Sequence, residues 1–478
     1  MTPINENILS SDINRSFDEM KRHVVDIDEK DVDKIHSFVE KYLTPKEYEK
    51  KAFGEVFTPL SLVREMLEAI PKYADVDFWK NPKSKILDPA AGIGNFPLIA
   101  YELLMDGLKR VIPDASKRKR HILENMLYMV ELNPNNVRLM RKIFGGKNYK
   151  LNIIRGDFLK DETQERMKKE WGVEKYDLVM GNPPFNTEFT EKGASPLYHF
   201  FIEMMIDRCK YMTFLTPSKW FSGGKGLSLF RNFMLQRNDI VVLQQIDDAS
   251  KVFSQKVDIK GGINYFIKSS SHSGKCIFNG IAIDLSKYDV LVKPKYIDLL
   301  DKIIKQTKER LITSRYCSSS YYGIETNDKR LQSVNIDESY TCFVSSKKDK
   351  NRTMYVAKNS LTIPKEKRHW KVVTPRTSGE GFDGFGKIFI ADPNTVYTSS
   401  YIGFKVKNKQ EAISLKSYLE CKLPNYLLSI RKISHFIDER TCMWIPYVPL
   451  DKLWNNDMVK EHFSLTPNNV RKISNVGF

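Results

Sequence analysis

The chain has 478 residues, 76 of them Lys or Arg and 59 Asp or Glu, for a formal charge of +17. That length suggests two or three domains, and 41% hydrophobic residues with only 24 Gly and 21 Pro exclude a fibrous or disordered chain. There is no run of about 18 apolar residues, no signal pattern in MTPINENILSSD and no CxxC pair among six scattered cysteines, so the expectation is a soluble cytoplasmic protein with reduced thiols and no zinc site.

Residues 11–52 carry apolar positions three and four apart in DINRSFDEMKRHVVDI and DKIHSFVEKYL, which predicts helix. GEVFTP follows, then LSLVREMLEAI, a second helical pattern with Ser61 and Glu65 near its start. From residue 84 short apolar runs end in polar or Gly/Pro clusters: SKILDPAAGIGN, NMLYMVELNP, LNIIRGDF, YDLVMGNPPF, YMTFLTPSKW, DIVVLQQIDD and INYFIKSS. Helix-like stretches such as FPLIAYELLMDGL and LYHFFIEMMIDRC fill the gaps. Strands alternating with helices imply crossover units and a mostly parallel α/β sheet, whose ligands sit at the carboxyl ends of the strands. Beyond about residue 275 one helix candidate, KYIDLLDKIIKQTKERL, precedes irregular Ser-, Lys- and aromatic-rich sequence to about residue 405, and a mixed helical tail closes the chain. The natural cut lies around SSSHSGK. It divides an N-terminal helical segment (1–53), a chemistry domain (54–275) and a C-terminal domain (276–478). Charge follows the cut: residues 1–260 hold 41 basic and 38 acidic side chains, residues 261–478 hold 35 and 21. A near-neutral part joined to a basic one points to a polyanionic partner.

Asp88-Pro-Ala-Ala-Gly92-Ile-Gly94-Asn95-Phe96 runs from a strand into a helix. Its glycines let backbone approach a ligand at a helix N-terminus, although a tight turn alone would need them too. Glu131 ends the next apolar run, where a carboxylate can hold the two hydroxyls of a ribose. Asp157 ends the third, placed to accept from an adenine amino group with Phe158 beside it. Three acids at successive strand ends describe a nucleoside site. The fourth run ends in Gly181-Asn182-Pro183-Pro184-Phe185. A nucleobase amino group is a poor nucleophile because its lone pair is delocalised. The Asn182 side-chain oxygen and the Pro183 carbonyl can face its two N–H bonds, two prolines hold that carbonyl rigidly, and Phe185 offers a stacking face. A base inside a duplex would have to be flipped out to reach them.

These motifs, in this order, resemble the gamma class of DNA adenine-N6 methyltransferases of restriction–modification systems, which use S-adenosylmethionine and carry NPP[YF]. The resemblance implies a Rossmann-like seven-stranded methyltransferase sheet followed by a mixed α+β target-recognition domain with a helical tail. It implies that Glu55, Phe57, Thr58 and Pro59 close over the cofactor, that Asp88, Gly92, Gly94 and Asn95 line its methionine pocket, and that Ala90 also binds it. Glu131 would hold the ribose, Asp157 and Phe158 the adenine, with Leu132 and Asn182 also binding the cofactor. Asn182, Pro183, Pro184 and Phe185 would be catalytic, and Phe253, in KVFSQKVDIKGGINYFI, would form a second wall against the flipped base. The segments TPSKWFSGGKGL and WIPYVPLDKLW also resemble family sequence, so nearly the whole chain is covered. Ile93 stands where a small polar residue is common in the family, and Phe185 replaces the commoner Tyr, keeping the ring and losing a hydroxyl.

The implied partner is double-stranded DNA, with a cognate restriction endonuclease if the enzyme is one half of a pair and none if it is an orphan methylase. No membrane and no metal are expected, and the place of action would be the nucleoid. FSGGKGL lacks phosphate-loop spacing and reads as a loop near DNA with Lys225 on a phosphate. In the basic part, Lys347, Lys348, Arg368, Lys371 and Arg376 are the expected DNA contacts. Two other readings compete: an NPPF enzyme acting on RNA guanine N2 or protein glutamine, and an inert DNA-binding specificity subunit.

Overall fold

A computed structural model describes residues 58–474, apart from 146, 187–194, 225, 254–258, 260, 293, 307–311, 337, 347–350, 378–383 and 433–434. The expected helical segment 1–53 lies outside these residues. The chain divides into two compact units between Asp289 and Val290.

In the first unit, α1 (Leu60–Tyr73) buries Val63, Met66, Leu67 and Ile70, the one-face spacing that the sequence predicts. Pro59 stands at its N-cap, and Glu65 accepts the Tyr265 hydroxyl (2.8 Å), tying the helix to the sheet. The strands are β1 (Ile86–Asp88), β2 (Leu127–Glu131), β3 (Asn152–Arg155), β4 (Tyr176–Gly181), β5 (Cys209–Pro217), β6 (Ile240–Ile246), β7 (Ile263–Ser269), β8 (Cys276–Phe278) and β9 (Ile281–Ile283). Between them lie α2 (Asn95–Gly107), α3 (Ala115–Asn125), α4 (Pro134–Ile143), α5 (Asp161–Trp171), α6 (Tyr198–Met205) and α7 (Ser228–Leu235).

The sheet runs β3-β2-β1-β4-β5-β7-β6-β8-β9. β3 through β5 are parallel, and β7 runs antiparallel to both β5 and β6. All seven expected strands are present. Two short ones extend the sheet, because β8 pairs with β6 and folds back as β9. Pairing therefore carries the first unit past residue 275, where the sequence suggests a boundary. β2, β4 and β7 are buried on both faces or nearly so, as expected for strands covered by helices. Their Leu, Val, Ile and Met side chains contribute about 1.5–3 kcal/mol each on full burial.

The second unit contains β10 (Tyr316–Cys317), β11 (Ser339–Val344), β12 (Arg352–Ala357), β13 (Trp370–Pro375), β14 (Phe389–Ala391), β15 (Thr395–Tyr397) and β16 (Tyr401–Val406). They form a four-stranded sheet, β10-β16-β13-β14, and a three-stranded one, β12-β11-β15. The sequence between 318 and 405, which looks irregular, thus holds six strands. They escape notice because they are short and polar or aromatic; β11 alternates half-buried and buried positions along SYTCFV. Helices Lys409–Leu419 and Lys422–Arg431 follow. Among the described residues no helix is long and apolar enough to cross a membrane.

Candidate active site

The carboxyl ends of β1 to β4 open on one cavity enclosing about 840 Å³, the open solvent at its mouth included. Its walls are Thr58, the turn from Pro89 to Ile93, Asn95, Phe96, Glu131, Leu132, Gly156 to Phe158 and Asn182 to Phe185.

Two glycines make this geometry attainable. Gly94 adopts φ +96° at the N-cap of α2, and a Cβ there would press on Met140 and Phe144 at 3.1 and 3.2 Å. Gly181 adopts φ +150° at the end of β4, and a Cβ would lie 2.7 Å from Asp88 Oδ1. Glycine at 94 lets α2 start close against α4, and glycine at 181 lets the end of β4 lie against β1.

Asp88 is buried, with Oδ1 accepting the Ala90 N–H (3.1 Å) and Oδ2 unpartnered among the described residues. Burial holds its carboxyl well above the usual carboxylate range, and the nearby Glu131 charge adds to this. Glu131 is fixed at both oxygens: the Gly92 N–H donates to Oε2 (2.7 Å) and the Asn133 N–H to Oε1 (2.6 Å). A carboxylate has about four lone-pair sites, so each oxygen can still accept from a ligand while it pins the glycine turn. Asp157 is half-buried, its Oδ1 accepting the Leu159 N–H (3.1 Å). Phe158 beside it is buried and stacks on Phe201, ring centroids 5.5 Å apart and 14° from parallel. Leu132 is 51% exposed in the cavity wall.

The Asn95 side-chain N–H donates to the Thr58 carbonyl (2.8 Å), joining the segment before α1 to the glycine turn. Asn95 Oδ1 and Thr58 Oγ1 are buried and unpartnered among the described residues. Asn182 and Phe185 stand half-buried in the cavity wall, and Pro183 between them in the chain is buried. The Phe185 carbonyl accepts the Leu197 N–H (3.0 Å), and Asn186 bridges to Pro196, which ties off the catalytic-motif turn.

Of the expected cofactor and catalytic residues, the cavity thus gathers Thr58, Ala90, Gly92, Asn95, Glu131, Leu132, Asp157, Phe158, Asn182, Pro183, Pro184 and Phe185. Asp88, Gly94 and Pro59 support it from behind. Pro89, Ala91, Ile93, Phe96 and Gly156 also line it, none of them an expected site residue although each adjoins one. Glu55 and Phe57 lie outside the described residues.

Phe253 is not in the cavity wall. It is buried in the core cluster against which Phe185 packs, with its N–H donating to the Ala249 carbonyl (3.0 Å). The expected second wall is therefore a core residue here, because an aromatic ring beside a strand gains more from burial than from exposure.

Among the expected DNA contacts, Lys225, Lys347 and Lys348 lie outside the described residues. Arg368 is exposed, its Nε donating to the Ile363 carbonyl (3.0 Å). Arg376 is half-buried, its guanidinium 5.1 Å from the centre of the Phe436 ring. Lys371 corrects its expectation. It is fully buried in β13, and its ammonium donates to the carbonyls of His369 (3.0 Å), Asp392 (3.0 Å) and Thr395 (2.8 Å). All three donors are spent inside the unit, so none reaches a phosphate.

The strand order with its antiparallel seventh strand is that of the S-adenosylmethionine-dependent methyltransferases, and the second unit is a mixed α+β structure. Within that class, residues 114–253 match the family described as Eco57I restriction-modification methylase. The chain is also similar to a Mycoplasma pneumoniae (strain ATCC 29342 / M129) protein described as an uncharacterized adenine-specific methylase. The two are 24% identical over 347 residues, 57% of this chain and 80% of that one. Solved structures with similarity include the methyltransferase subunit of a type I restriction-modification system from Streptococcus thermophilus, at 15% identity and TM-score 0.36, covering 57% of each chain. Another is the Type IIL restriction-modification enzyme MmeI in complex with DNA, at 12% identity and TM-score 0.41, covering 87% of this chain and 69% of that one. The chain spans 46–60% of the type I subunits it matches. Both quoted scores lie below 0.5; the strand order, not these alignments, defines the fold.

Proposed function

We propose that the protein transfers a methyl group from S-adenosylmethionine to the N6 of an adenine flipped out of duplex DNA, at a specific sequence. The observation that carries this reading is a single cavity lined by Glu131, Asp157 and the whole Asn182–Phe185 turn. One part of its lining would hold a nucleoside and another an amino group.

The cavity suits the cofactor. Asn95 Oδ1 and Thr58 Oγ1 are buried oxygens in its lining that await a donor, as an α-ammonium would supply. Glu131 would take the ribose hydroxyls, Asp157 the adenine amino group, and the exposed Leu132 the purine face. When bound, the cofactor supplies an electrophilic methyl group on sulfur. The chain supplies position and acceptors. The Asn182 carboxamide oxygen and the Pro183 carbonyl would each accept one N–H of the target amino group, drawing its lone pair out of the ring plane. Phe185 would stack on the base, offsetting part of the few kcal/mol lost on flipping. The second unit would read the sequence, and the enzyme would serve as the modification half of a restriction–modification pair or as an orphan.

The test is transfer of label from the cofactor to duplex DNA, RNA or protein offered in parallel. Label in DNA adenine is expected. Label confined to RNA guanine or protein glutamine, or none with tight DNA binding, would overturn the reading.

A further inference from the structure

The near-neutral charge of residues 1–260 conceals a segregation. Residues 109–150 hold eleven Lys and Arg against three acids, while the other residues up to 260 hold thirty against thirty-five. The basic segment comprises α3, β2, α4 and their flanking turns, and both helices rest on β2 and β3. Nine of the eleven cations are exposed. Lys119 is half-buried, and the buried Arg118 donates to the Ile112 and Pro113 carbonyls (2.6 and 3.0 Å). Of the acids, Asp114 caps α3 by accepting the Lys117 N–H (2.7 Å), and Glu131 belongs to the cavity. Glu124 remains, accepting from the Arg120 side chain (2.8 Å) and the Lys150 N–H (3.1 Å).

The cations gather at Tyr149. Lys119 Nζ and the Arg120 guanidinium each lie 5.3 Å from its ring centre, and Lys147 and Lys150 flank it in the chain. The Asn152 side chain donates to the Glu124 and Leu127 carbonyls (3.0 and 3.1 Å), clamping this turn to the end of α3. The cluster thus sits where β2 and β3 begin. Glu131, at the cavity, is four strand steps away, about 13 Å. Like charges so gathered repel one another and cost the folded unit stability, and no step of the proposed chemistry uses them at that edge. Among the described residues no large exposed apolar side chain belongs to the cluster: Leu132 lies at the cavity and Val111 precedes α3. A protein partner would ordinarily find an apolar centre to bury. Guanidinium and ammonium groups around a ring fit a phosphate backbone better.

The geometry points to this face as a second docking surface for duplex nucleic acid, engaging backbone other than the stretch whose base enters the cavity. The choice of DNA as the polyanion rests on the proposed function. The experiment is fluorescence anisotropy of a labelled random-sequence duplex over a salt series, without cofactor, for wild type and K119A/R120A/K147A/K150A. The log–log salt slope should fall by up to about 3.6, since each of four phosphate contacts contributes about 0.9. Calorimetric cofactor affinity and saturated methyl transfer to DNA should hold. The milder pair K147Q/K150Q, which leaves α3 untouched, should lose about half as much and guards against misfolding of the first variant. Unchanged slopes in both variants of an enzyme that still methylates DNA would overturn this surface alone. Displacement of the duplex by polyglutamate as readily as by unlabelled DNA would assign the face to an acidic protein and overturn it too. Failure of the wild type to methylate DNA would be the separate failure of the functional reading.

Discussion

Asn182 and Asp157 line one cavity, and the proposed function gives them different work. Replacing Asn182 with Ala removes an acceptor that the mechanism needs only as N6 attacks, so methyl transfer should fall by about a hundredfold or more. Cofactor affinity should largely survive, as equilibrium dialysis would show; transfer near the wild-type rate would remove Asn182 from catalysis. Asp157→Ala should act in the opposite way. Losing a hydrogen bond to a charged group costs about 1.5–3 kcal/mol, so calorimetry should show cofactor binding weakened about ten- to a hundredfold, and no change would exclude the residue from the site. These residues were legible because strand-end chemistry leaves a local signature: an acid or an amide directly after an apolar run. The cations were not. Lys371 reads like its neighbours Lys367 and Arg368, yet it turns inward onto three carbonyls. Nothing in a run of charges says which face of a strand each one takes.

Strand β13 carries that buried ammonium between two sheets, since Thr395, one of its acceptors, lies in β15 of the other sheet. Burial pushes the Lys371 ammonium down to about 8 from 10.5. Between those values the unfolded chain binds the extra proton, so Lys371 adds a stability increment that grows as pH rises from about 8 toward 10. Lys371→Met should lower the melting temperature at neutral pH by leaving carbonyls unsatisfied, and the gap should widen over that alkaline window. Thermal melts of both proteins at several pH values would show it; a constant gap would mean that the ammonium is not desolvated. At this scale the seven strands of the catalytic sheet were readable as apolar runs bounded by turns. β8 and β9 were missed because they are three residues each, and β11 to β16 because their burial comes from tyrosines, cysteines and aliphatic stems rather than continuous apolar stretches.

Over the whole molecule, the formal charge of +17 first divides into a neutral chemical part and a basic reading part. The fold refines this, because the catalytic unit holds its own basic cluster, Lys119, Arg120, Lys147 and Lys150, where β2 and β3 begin, at the end away from the cavity. DNA affinity should therefore fall steeply with salt, while cofactor affinity, built on buried hydrogen bonds, should change little. Titrations of both ligands across one salt series would separate the two terms, and equal slopes would contradict the division. The central claim is the identity of the methylated atom. Base-resolution detection of N6-methyladenine in DNA from cells expressing this chain tests it most directly. The expected result is methylated adenine at one recurring sequence, absent with Asn182→Ala. Unmodified adenine throughout, from a chain that binds the cofactor, would contradict it.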